Sequence, residues 1–335
     1  MAKLTAPKGY QSVLSLYETQ TAIGGIKRIF EDNLSRALGL KRVSAPLFVK
    51  NQTGLNDDLN GVERPVEFDI KEAGATVQIV HSLAKWKRMA LKQYAFPVGE
   101  GLYTDMNAVR RDEEIDNLHS VYVDQWDWEK VIDESSRNES YLRNTVTLIV
   151  NAICDTAEKI SGLYPVLKPG LTRKVAFITT QQLEDKYPGL SPKEREHAFL
   201  KEHKTAFIMQ IGDVLRSGRR HDGRAPDYDD WRLNGDIVFW NDILQCAFEI
   251  SSMGIRVDKT ALLKQLEIEG CENRKELMFH KALLEDKIPL SIGGGIGQSR
   301  LCMFFLRCAH IGEVQASLWS EEMIAECSEN NILLK

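Results

Sequence analysis

The sequence has no long apolar run, no paired-cysteine motif and no excess of positive charge. Its longest apolar stretch, residues 301–306, is far too short to cross a bilayer, and the N-terminal residues contain no apolar segment typical of secretion. The six cysteines form no C-x-x-C pair, which favours reduced, mostly buried thiols over a disulfide framework. These absences predict a cytoplasmic protein that does not enter a membrane.

Other classes of function also lack support. The net charge of -5 gives no broad positive surface for nucleic acid. No H-E-x-x-H zinc motif is present, and no strained nucleophile elbow supports a Ser-His-Asp triad. With 43% hydrophobic and 27% charged residues, and no repeat or linker, we expect residues 1–335 to form a single domain.

A glycine-rich segment, IGGGIGQSR (residues 292–300), is the first candidate for a nucleotide contact. It does not match the dinucleotide fingerprint or a Walker loop, because Gln298 stands where the first needs glycine and the second needs lysine. The segment predicts a tight turn that opens an apolar helix, with Arg300 aimed at an anion or an aromatic base. The alternative is a plain strand-to-helix connection with a surface arginine.

Hydrophobic periodicity predicts the first half of the fold. An amphipathic helix covers roughly residues 19–38 and stops at Gly39. A strand, VSAPLFV, follows with Pro46 inside it, and VEFDI and TVQIV form a hairpin. A helix carrying Lys85, Lys87 and Arg88 comes next, with Ser82 as its N-cap.

The second half alternates long helices with apolar strands. Helices are expected over residues 135–161, capped near Ser135, over 191–203, and as a pair over 259–287. Strands are expected at HSVYVDQWDWEKV, VAFIT and TAFIMQIG, and as two or three antiparallel strands over residues 234–257, after a charged loop, HDGRAPDYDDW. We therefore expect the α+β class, with a mixed, mostly antiparallel sheet flanked by helices.

Several polar residues within these elements could carry chemistry. Gln125 and Asp127 share one face of their strand by its two-residue period. Asp236 and Glu249 lie on strands expected to be neighbours, where paired carboxylates suit a magnesium ion that carries substrate phosphates, unless both point to solvent. Lys87 and the arginines at 110, 256 and 300 could bind phosphate and carboxylate groups.

Together these segments resemble the catalytic core of class II aminoacyl-tRNA synthetases. Gly39 to Pro46 resembles the family's first motif, Arg110 through HSVYVDQWDWE its second, and GGGIGQSR its third. The resemblance implies the class II synthetase-like fold and places Arg300 against ATP, near the adenine and the γ-phosphate.

A closer resemblance covers nearly the whole chain. The blocks HSLAKWKR, GEGLYT, HSVYVDQWDWE, RAPDYDDW, LNGDI, EISSMGIRVD and IGGGIGQSRL are similar to those of the ammonia-dependent asparagine synthetases, the aspartate-ammonia ligase family. This implies a homodimeric ligase that makes L-asparagine from L-aspartate, ATP and ammonia, with Mg²⁺, through a β-aspartyl-adenylate that releases pyrophosphate and AMP. The dimer would form through the first helix and the Pro46 strand. One departure is that only Arg232 separates RAPDYDDW from LNGDI, where some members have a longer insertion, which leaves the loop near Asp229 open.

The resemblance also implies the site residues. The catalytic set is Asp57, Arg110, Gln125 and Asp127. The aspartate-binding set is Ser82, Lys87, Ser251 and Arg256. The ATP-binding set is Arg110, Ser120, Asp229, Ser252, Gly295 and Arg300. The metal set is Asp236 and Glu249. Within these sets, Arg110 holds the α-phosphate, Lys87 and Arg256 hold the α-carboxylate, and Asp57, or failing it Asp127, accepts a proton from ammonia.

Two alternatives share this fold. A truncated aspartyl- or asparaginyl-tRNA synthetase would pass its adenylate to RNA, but only about 18 residues precede the first helix, too few for an anticodon-binding barrel. A catalytically inactive regulator is disfavoured because Arg110, Asp236, Glu249 and Arg300 are all present. Ammonia is the expected nitrogen donor, because the chain begins Met1-Ala2 and offers no N-terminal cysteine for a glutaminase.

Overall fold

The computed structural model describes residues 4–57 and 63–335. The α-helices are α1 (Leu16–Leu38), α2 (Ala84–Gln93), α3 (Glu139–Leu163), α4 (Thr180–Lys186), α5 (Pro192–His203), α6 (Lys259–Ile268), α7 (Met278–Leu284), α8 (Gln298–Phe305) and α9 (Glu321–Glu329). The strands are β1 (Leu40–Arg42), β2 (Phe48–Lys50), β3 (Glu67–Ile70), β4 (Ala75–Ile79), β5 (Gly101–Val109), β6 (Tyr122–Val131), β7 (Ala176–Thr179), β8 (Thr205–Met209), β9 (Asp229–Asn241), β10 (Cys246–Arg256) and β11 (Ser291–Gly297). Short 3-10 turns cover Lys71–Ala73, Glu134–Ser136, Glu272–Glu276 and Ile311–Glu313.

Most of these strands form one large sheet. In the part of the chain that the structure describes, eight strands run in the order β1-β5-β6-β11-β10-β9-β8-β7. Only the outer pairs β1-β5 and β7-β8 are parallel, and every inner pair is antiparallel. A separate antiparallel sheet has the order β2-β4-β3 and contains the predicted hairpin. The prediction of a mixed, mostly antiparallel sheet with flanking helices is confirmed.

Helix α1 has the caps that its sequence indicates, but the strand predicted after it is interrupted at Pro46. Ser15 and Glu18 form a capping box at the start of α1, and Gly39 ends the helix with a left-handed φ of 71°. The single strand predicted around Pro46 is wrong, because β1 ends at Arg42 and β2 begins at Phe48. Proline has no N–H to donate and restricts the residue before it, so the backbone leaves the sheet there.

Two predicted helix starts are also wrong by a few residues. Leu83 is the N-cap residue of α2, although the Oγ of Ser82 still accepts a hydrogen bond from the backbone N–H of Ala84 at 3.1 Å. Helix α3 begins at Glu139 because the side chain of Asn138 caps it. The residues around Ser135 form a separate 3-10 turn instead. Short polar side chains compete as caps, and the sequence alone does not rank them.

Strand β9 begins earlier than predicted. It takes in residues 229–231, which were expected in the charged loop, and it runs through Arg232 without interruption. The position after RAPDYDDW is therefore strand, and Asp229 is the first residue of β9. Strand β10 completes a pair of antiparallel strands in the region where two or three were expected.

The main core lies between the large sheet and helices α1, α3 and α8. Trp126 and Trp128 of β6 are fully buried on this face, and the ring of Phe30 from α1 lies 4.7 Å from that of Trp126. The alternating residues Gln125 and Asp127 therefore face the other side of the sheet. All six cysteines are free thiols and four are buried, as predicted. Over residues 4–57 and 63–335, no helix combines the length and hydrophobicity needed to cross a lipid bilayer.

Candidate active site

A polar cavity of about 390 Å³ opens on the sheet face opposite α1. It is lined by β6, β10 and β11, by α2 and by the loops that precede β9 and follow β5. Most of the predicted site residues line it, namely Asp57, Ser82, Lys87, Arg110, Ser120, Gln125, Asp127, Asp229, Glu249, Ser252, Arg256, Gly295 and Arg300. Ser251 and Asp236 do not, although Asp236 contacts the lining residue Arg224.

The glycine-rich segment has a different structure from the predicted turn. Residues 291–297 form strand β11, and helix α8 begins directly after it. In the β11–β6 register, Gly297, Gly295 and Gly293 stand opposite Gln125, Asp127 and Glu129. A Cβ atom at Gly295 would lie 2.2 Å from the Oε1 atom of Gln125 and 2.7 Å from an Oδ1 atom of Asp127. The glycines therefore leave room for the polar side chains of β6.

Lys87 and Asp127 form a buried pair in the floor of the cavity. The Nζ atom of Lys87 lies 3.2 Å from the Oδ1 atom of Asp127 and donates to the carbonyl of Gly294 at 3.0 Å. Burial lowers the pKa of Lys87, and the carboxylate of Asp127 opposes that shift. The Oδ2 atom of Asp127 is buried and accepts no hydrogen bond from the described residues. An N–H donor of a bound molecule would satisfy it.

Arg256 is the centre of a second buried group. Its Nε and Nη2 atoms donate to the carboxylate of Glu129, and its Nη1 atom donates to Asp229 at 2.5 Å. The hydroxyl of Ser291 adds a 2.7 Å hydrogen bond to Glu129. Burial works to raise the pKa of Glu129, but Arg256 outweighs it and holds that pKa below its ordinary value. Lys87, Asp127, Glu129, Asp229 and Arg256 together are called the inner end of the cavity.

Asp57 enters the cavity from the loop after β2 and is buried. The side-chain oxygen of Asn56 accepts hydrogen bonds from the backbone N–H groups of Asp57, at 2.9 Å, and of His81, at 2.8 Å. The Nδ1 atom of His81 lies 3.0 Å from the carbonyl oxygen of Asp57. These contacts fix the backbone of Asp57 against the chain that leads into α2.

The outer end of the cavity is defined here as Arg110, Glu113, Glu249 and Arg300. Arg110 lies 3.7 Å from Glu113, and its side chain is 26% exposed. Arg300 is in the first turn of α8, donates to the backbone carbonyl of Glu249 at 3.1 Å, and lies 3.8 Å from the carboxylate of Glu249. These arginines have long or partial contacts, so they retain N–H donors for an anionic ligand.

Asp236 and Glu249 are the candidate metal ligands. Asp236 pairs with Arg224, yet burial raises the pKa of Asp236 from 3.8 to about 7, Arg224 only partly opposes the shift, and Glu249 adds to it. A divalent cation would relieve this unfavourable pair of charges. No cluster of three or more His, Cys, Asp or Glu side chains able to hold a metal occurs in the described residues. Mg²⁺ is usually held by one or two carboxylates together with substrate phosphates, and these two carboxylates could supply such ligands if Asp236 exchanged Arg224 for the ion.

Several residues of the candidate site were missed from the sequence. Glu129, which binds the lining residue Arg256, could have been found, because the two-residue period that groups Gln125 with Asp127 extends to it. Glu113, Arg224 and Tyr228 line the cavity. Each lies in a charged loop whose path the sequence does not indicate.

Comparison with known proteins identifies the family. A family model described as aspartate-ammonia ligase matches residues 17–331. The chain belongs to the aspartate-ammonia ligase family. The aspartate-ammonia ligase of Ruminiclostridium cellulolyticum is 61% identical over 335 residues, covering 100% of both chains. That of Bacillus cytotoxicus is 58% identical over 325 residues, covering 97% of this chain and 99% of the relative. The chain is therefore an enzyme, a ligase of asparagine synthesis.

Solved structures confirm the predicted class II synthetase-like fold. Asparaginyl-tRNA synthetase from Pyrococcus horikoshii, complexed with asparaginyl-adenylate, aligns with a TM-score of 0.65 at 14% identity, over 90% of this chain and 70% of that chain. Aspartyl-tRNA synthetase from Entamoeba histolytica aligns with a TM-score of 0.57 at 15% identity, over 90% of this chain and 57% of that chain. This chain thus shares the fold of these two synthetases.

Proposed function

We propose that this ligase forms L-asparagine in two steps in the same cavity. L-Aspartate and ATP first give a β-aspartyl-adenylate and pyrophosphate, and ammonia then converts the adenylate to L-asparagine and AMP. The observation that carries the proposal is the division of charge in one cavity, with buried pairs around Lys87 and Arg256 at one end and partly exposed Arg110 and Arg300 at the other. An amino acid and a polyphosphate would meet between these ends.

The inner end binds aspartate in this proposal. Lys87 and Arg256 hold the α-carboxylate, which leaves the β-carboxylate free to react. Gln125 and Asp127 receive the α-ammonium group, supported by the buried Oδ2 atom of Asp127, which needs a donor. Ser82 lines the same end of the cavity and is kept as a contact.

Asp229 and Ser251 are assigned differently from the sequence-based sets. Asp229 bonds to Arg256, so we place Asp229 with the aspartate-binding residues rather than with those that bind ATP. Ser251 lies outside the cavity lining, so we assign it no contact with aspartate.

The outer end binds ATP and supports the first step. The β-carboxylate oxygen attacks the α-phosphorus, and the bond from that phosphorus to pyrophosphate breaks. Arg110 donates to the α-phosphate oxygens, whose charge changes during attack, and Arg300 contacts the nucleotide. Ser120, Ser252 and Gly295 also line the cavity and complete the proposed ATP contacts. Asp236 and Glu249 would hold Mg²⁺, which neutralises phosphate charge when bound.

Asp57 supports the second step. Ammonia attacks the β-carbonyl carbon, the bond to the AMP oxygen breaks, and the added nitrogen must lose a proton. Ammonium predominates at neutral pH, so a carboxylate that attracts the cation and accepts a proton would assist this step. Asp57 is buried in the cavity lining and hydrogen bonding to Asn56 fixes its backbone, so we assign it this role and keep Asp127 as the second candidate.

The test is a product assay with aspartate, ATP and magnesium, with and without ammonium, in the absence of RNA. We expect AMP and asparagine in equal amounts, both dependent on ammonium. Release of ADP and phosphate in place of AMP would contradict the adenylate. Aspartate-dependent exchange of pyrophosphate into ATP, with no asparagine even at high ammonium, would show that the adenylate passes to another acceptor.

We further propose a cytoplasmic, single-domain homodimer. The region predicted to form the dimer exposes apolar side chains, with Tyr17 of α1 84% exposed and Leu47, beside Pro46, 50% exposed. A second copy of the chain that packs on this region would cover such exposed apolar side chains. Sedimentation velocity would distinguish a monomer from a dimer.

A further inference from the structure

A buried ion cluster lies behind the cavity and is not used by the proposed chemistry. The Oδ2 atom of Asp227 lies 3.1 Å from the Nζ atom of Lys85, 3.0 Å from the Nη1 atom of Arg274 and 3.1 Å from the Nε2 atom of His280. The side chains of Asp227 and His280 are completely buried, and that of Lys85 is 3% exposed. These four residues, called the Asp227 cluster, are absent from the cavity lining.

The cluster joins two walls of the cavity. Lys85 belongs to α2, whose residue Lys87 faces the cavity one half-turn further on. Asp227 precedes Tyr228 and Asp229, which line the opposite wall. The Lys85–Asp227 contact therefore sets the distance between α2 and the start of β9.

His280 extends the contact to a third wall, the loop that leads to Asp57. A Cβ atom at Gly54 would lie 3.1 Å from the Nδ1 atom of His280 and 2.9 Å from the Cβ atom of Leu277. Gly54 also has a left-handed φ of 73°, so this close approach depends on glycine. The backbone N–H of Phe279, next to His280, donates to the carbonyl of Thr53 at 3.3 Å.

The charges of the Asp227 cluster stabilise one another, because each would be costly to bury without its partners. A buried carboxylate is costly unless it is paired and hydrogen-bonded, and three donors converge on Asp227. Burial works to raise the pKa of Asp227, but Lys85 and His280 outweigh it and hold that pKa far below its ordinary value. Loss of this charge would leave Lys85 buried without its carboxylate, so the walls would separate or shift to let in water.

We propose that Asp227 is a positioning residue that fixes Lys87, Asp229 and Asp57 relative to one another without touching substrate. The proposal rests on the assignment of these three residues to aspartate and ammonia. The arginines assigned to ATP have their contacts elsewhere: Arg110 follows β5 and pairs with Glu113, while Arg300 is on α8 and contacts Glu249. The cluster should therefore affect the amino-acid side of the reaction and leave the nucleotide side unchanged.

The experiment compares steady-state constants for asparagine formation by Asp227→Asn and the wild-type enzyme. We expect KM for aspartate to rise about tenfold or more, because misplacing a binding group by about 1 Å costs up to ~10²-fold. KM for ATP should change by less than about twofold, since a contact absent from the ATP site changes no binding energy there. A matched control is Glu184→Gln, which removes a different buried carboxylate, paired with Arg195 at 3.2 Å and outside the cavity lining.

Two results with Asp227→Asn would overturn the proposal. One is an equal rise in both KM values, and the other is a loss of active enzyme with both KM values unchanged, which Glu184→Gln would reproduce. If Asp227→Asn does not fold, Lys85→Met tests the same contact, because Arg274 and His280 still hold Asp227, and Lys85→Arg should restore KM for aspartate. Lys85→Met with normal KM for aspartate would also overturn it. Asparagine formation is measured without reference to AMP, so this result is separate from the test of the adenylate.

Discussion

The two ends of the cavity hold their charges in different ways. At the inner end, ion-paired side chains are 0–4% exposed and their N···O distances are 2.5–3.2 Å. At the outer end, the side chains are 21–39% exposed and the distances are 3.7–3.8 Å. The inner end is already arranged before a ligand arrives, whereas the outer end holds arginines whose present partners are weak and easily exchanged.

This difference suits the proposed binding of aspartate at the inner end and of ATP with its cation at the outer end. Aspartate is small, and its selection depends on fixed charges in a dry environment, where geometry discriminates strongly. ATP brings its own negative charge and cation, so its arginines must be able to exchange partners. If the division is real, substitutions at the two ends should affect different steps and different properties.

The largest expected effect is at the outer end. Arg110→Ala should reduce aspartate-dependent exchange of pyrophosphate into ATP by at least ~10³-fold, because an arginine that stabilises phosphoryl transfer contributes about 10³–10⁵ in rate. Arg111→Ala, at the neighbouring exposed position, serves as the control. Near-normal pyrophosphate release by Arg110→Ala would contradict the role of Arg110 and remove the functional contrast between the ends.

A smaller effect, confined to the second step, is expected where the loop after β2 meets the inner end. Asp57→Asn should slow asparagine formation by about 10²-fold or more, as loss of a general base does, while adenylate formation changes less. Rapid-quench single turnovers measure both steps, and Asp69→Asn, at an exposed position of β3, is the control. Equal losses in the two steps would refute Asp57 as the ammonia acceptor.

The outer arginines and the fold could be predicted from the sequence because the signals for them are local or lie in recognisable blocks. Helical period, capping boxes and alternating strands are local signals, so α1, α5 and β6 were placed within a few residues. The blocks that resemble the aspartate-ammonia ligase family contain most of the predicted residues that the structure brings together in one cavity. Local signals failed at Pro46, where the strand breaks, at Ser82, where α2 begins one residue later with Leu83 as its N-cap, and at Ser135, where Asn138 is the cap instead.

Fewer features of the inner end could be predicted from the sequence, because they depend on tertiary contacts. The glycines of β11 resemble a turn in sequence, yet they form a strand. They must be glycine because Gln125, Asp127 and Glu129 of the neighbouring strand occupy the space that side chains would need. The pairing of Arg256 with Glu129 spans 127 positions, and that of Lys85 with Asp227 spans 142. No periodicity in a single sequence indicates such partners.

The last prediction concerns stability, and it gives opposite signs to the inner-end residue Glu129 and to the candidate metal ligand Asp236. Glu129→Gln should destabilise the protein by about 3–5 kcal/mol at neutral pH, because it breaks a buried pair and leaves Arg256 with a weaker partner. The folded-state pKa of Glu129 lies below its ordinary value, so its stabilisation is present above that value and is lost as pH falls through the lowered pKa. The destabilisation by Glu129→Gln should therefore shrink in acid.

Asp236→Asn should behave in the opposite way in metal-free protein. The folded-state pKa of Asp236 is about 7, above its ordinary 3.8, so the folded protein keeps a proton that the unfolded chain releases between these values. Wild-type stability from this group therefore falls as pH rises from about 4 to about 7, and the asparagine variant avoids this pH-dependent loss. Urea unfolding in EDTA at several pH values measures both variants. A gain for Asp236→Asn that grows with pH, together with loss of magnesium-dependent activity, would mean that the carboxylate is kept for its ligand at the expense of stability. A uniform loss at every pH would place Asp236 with the inner-end pairs instead.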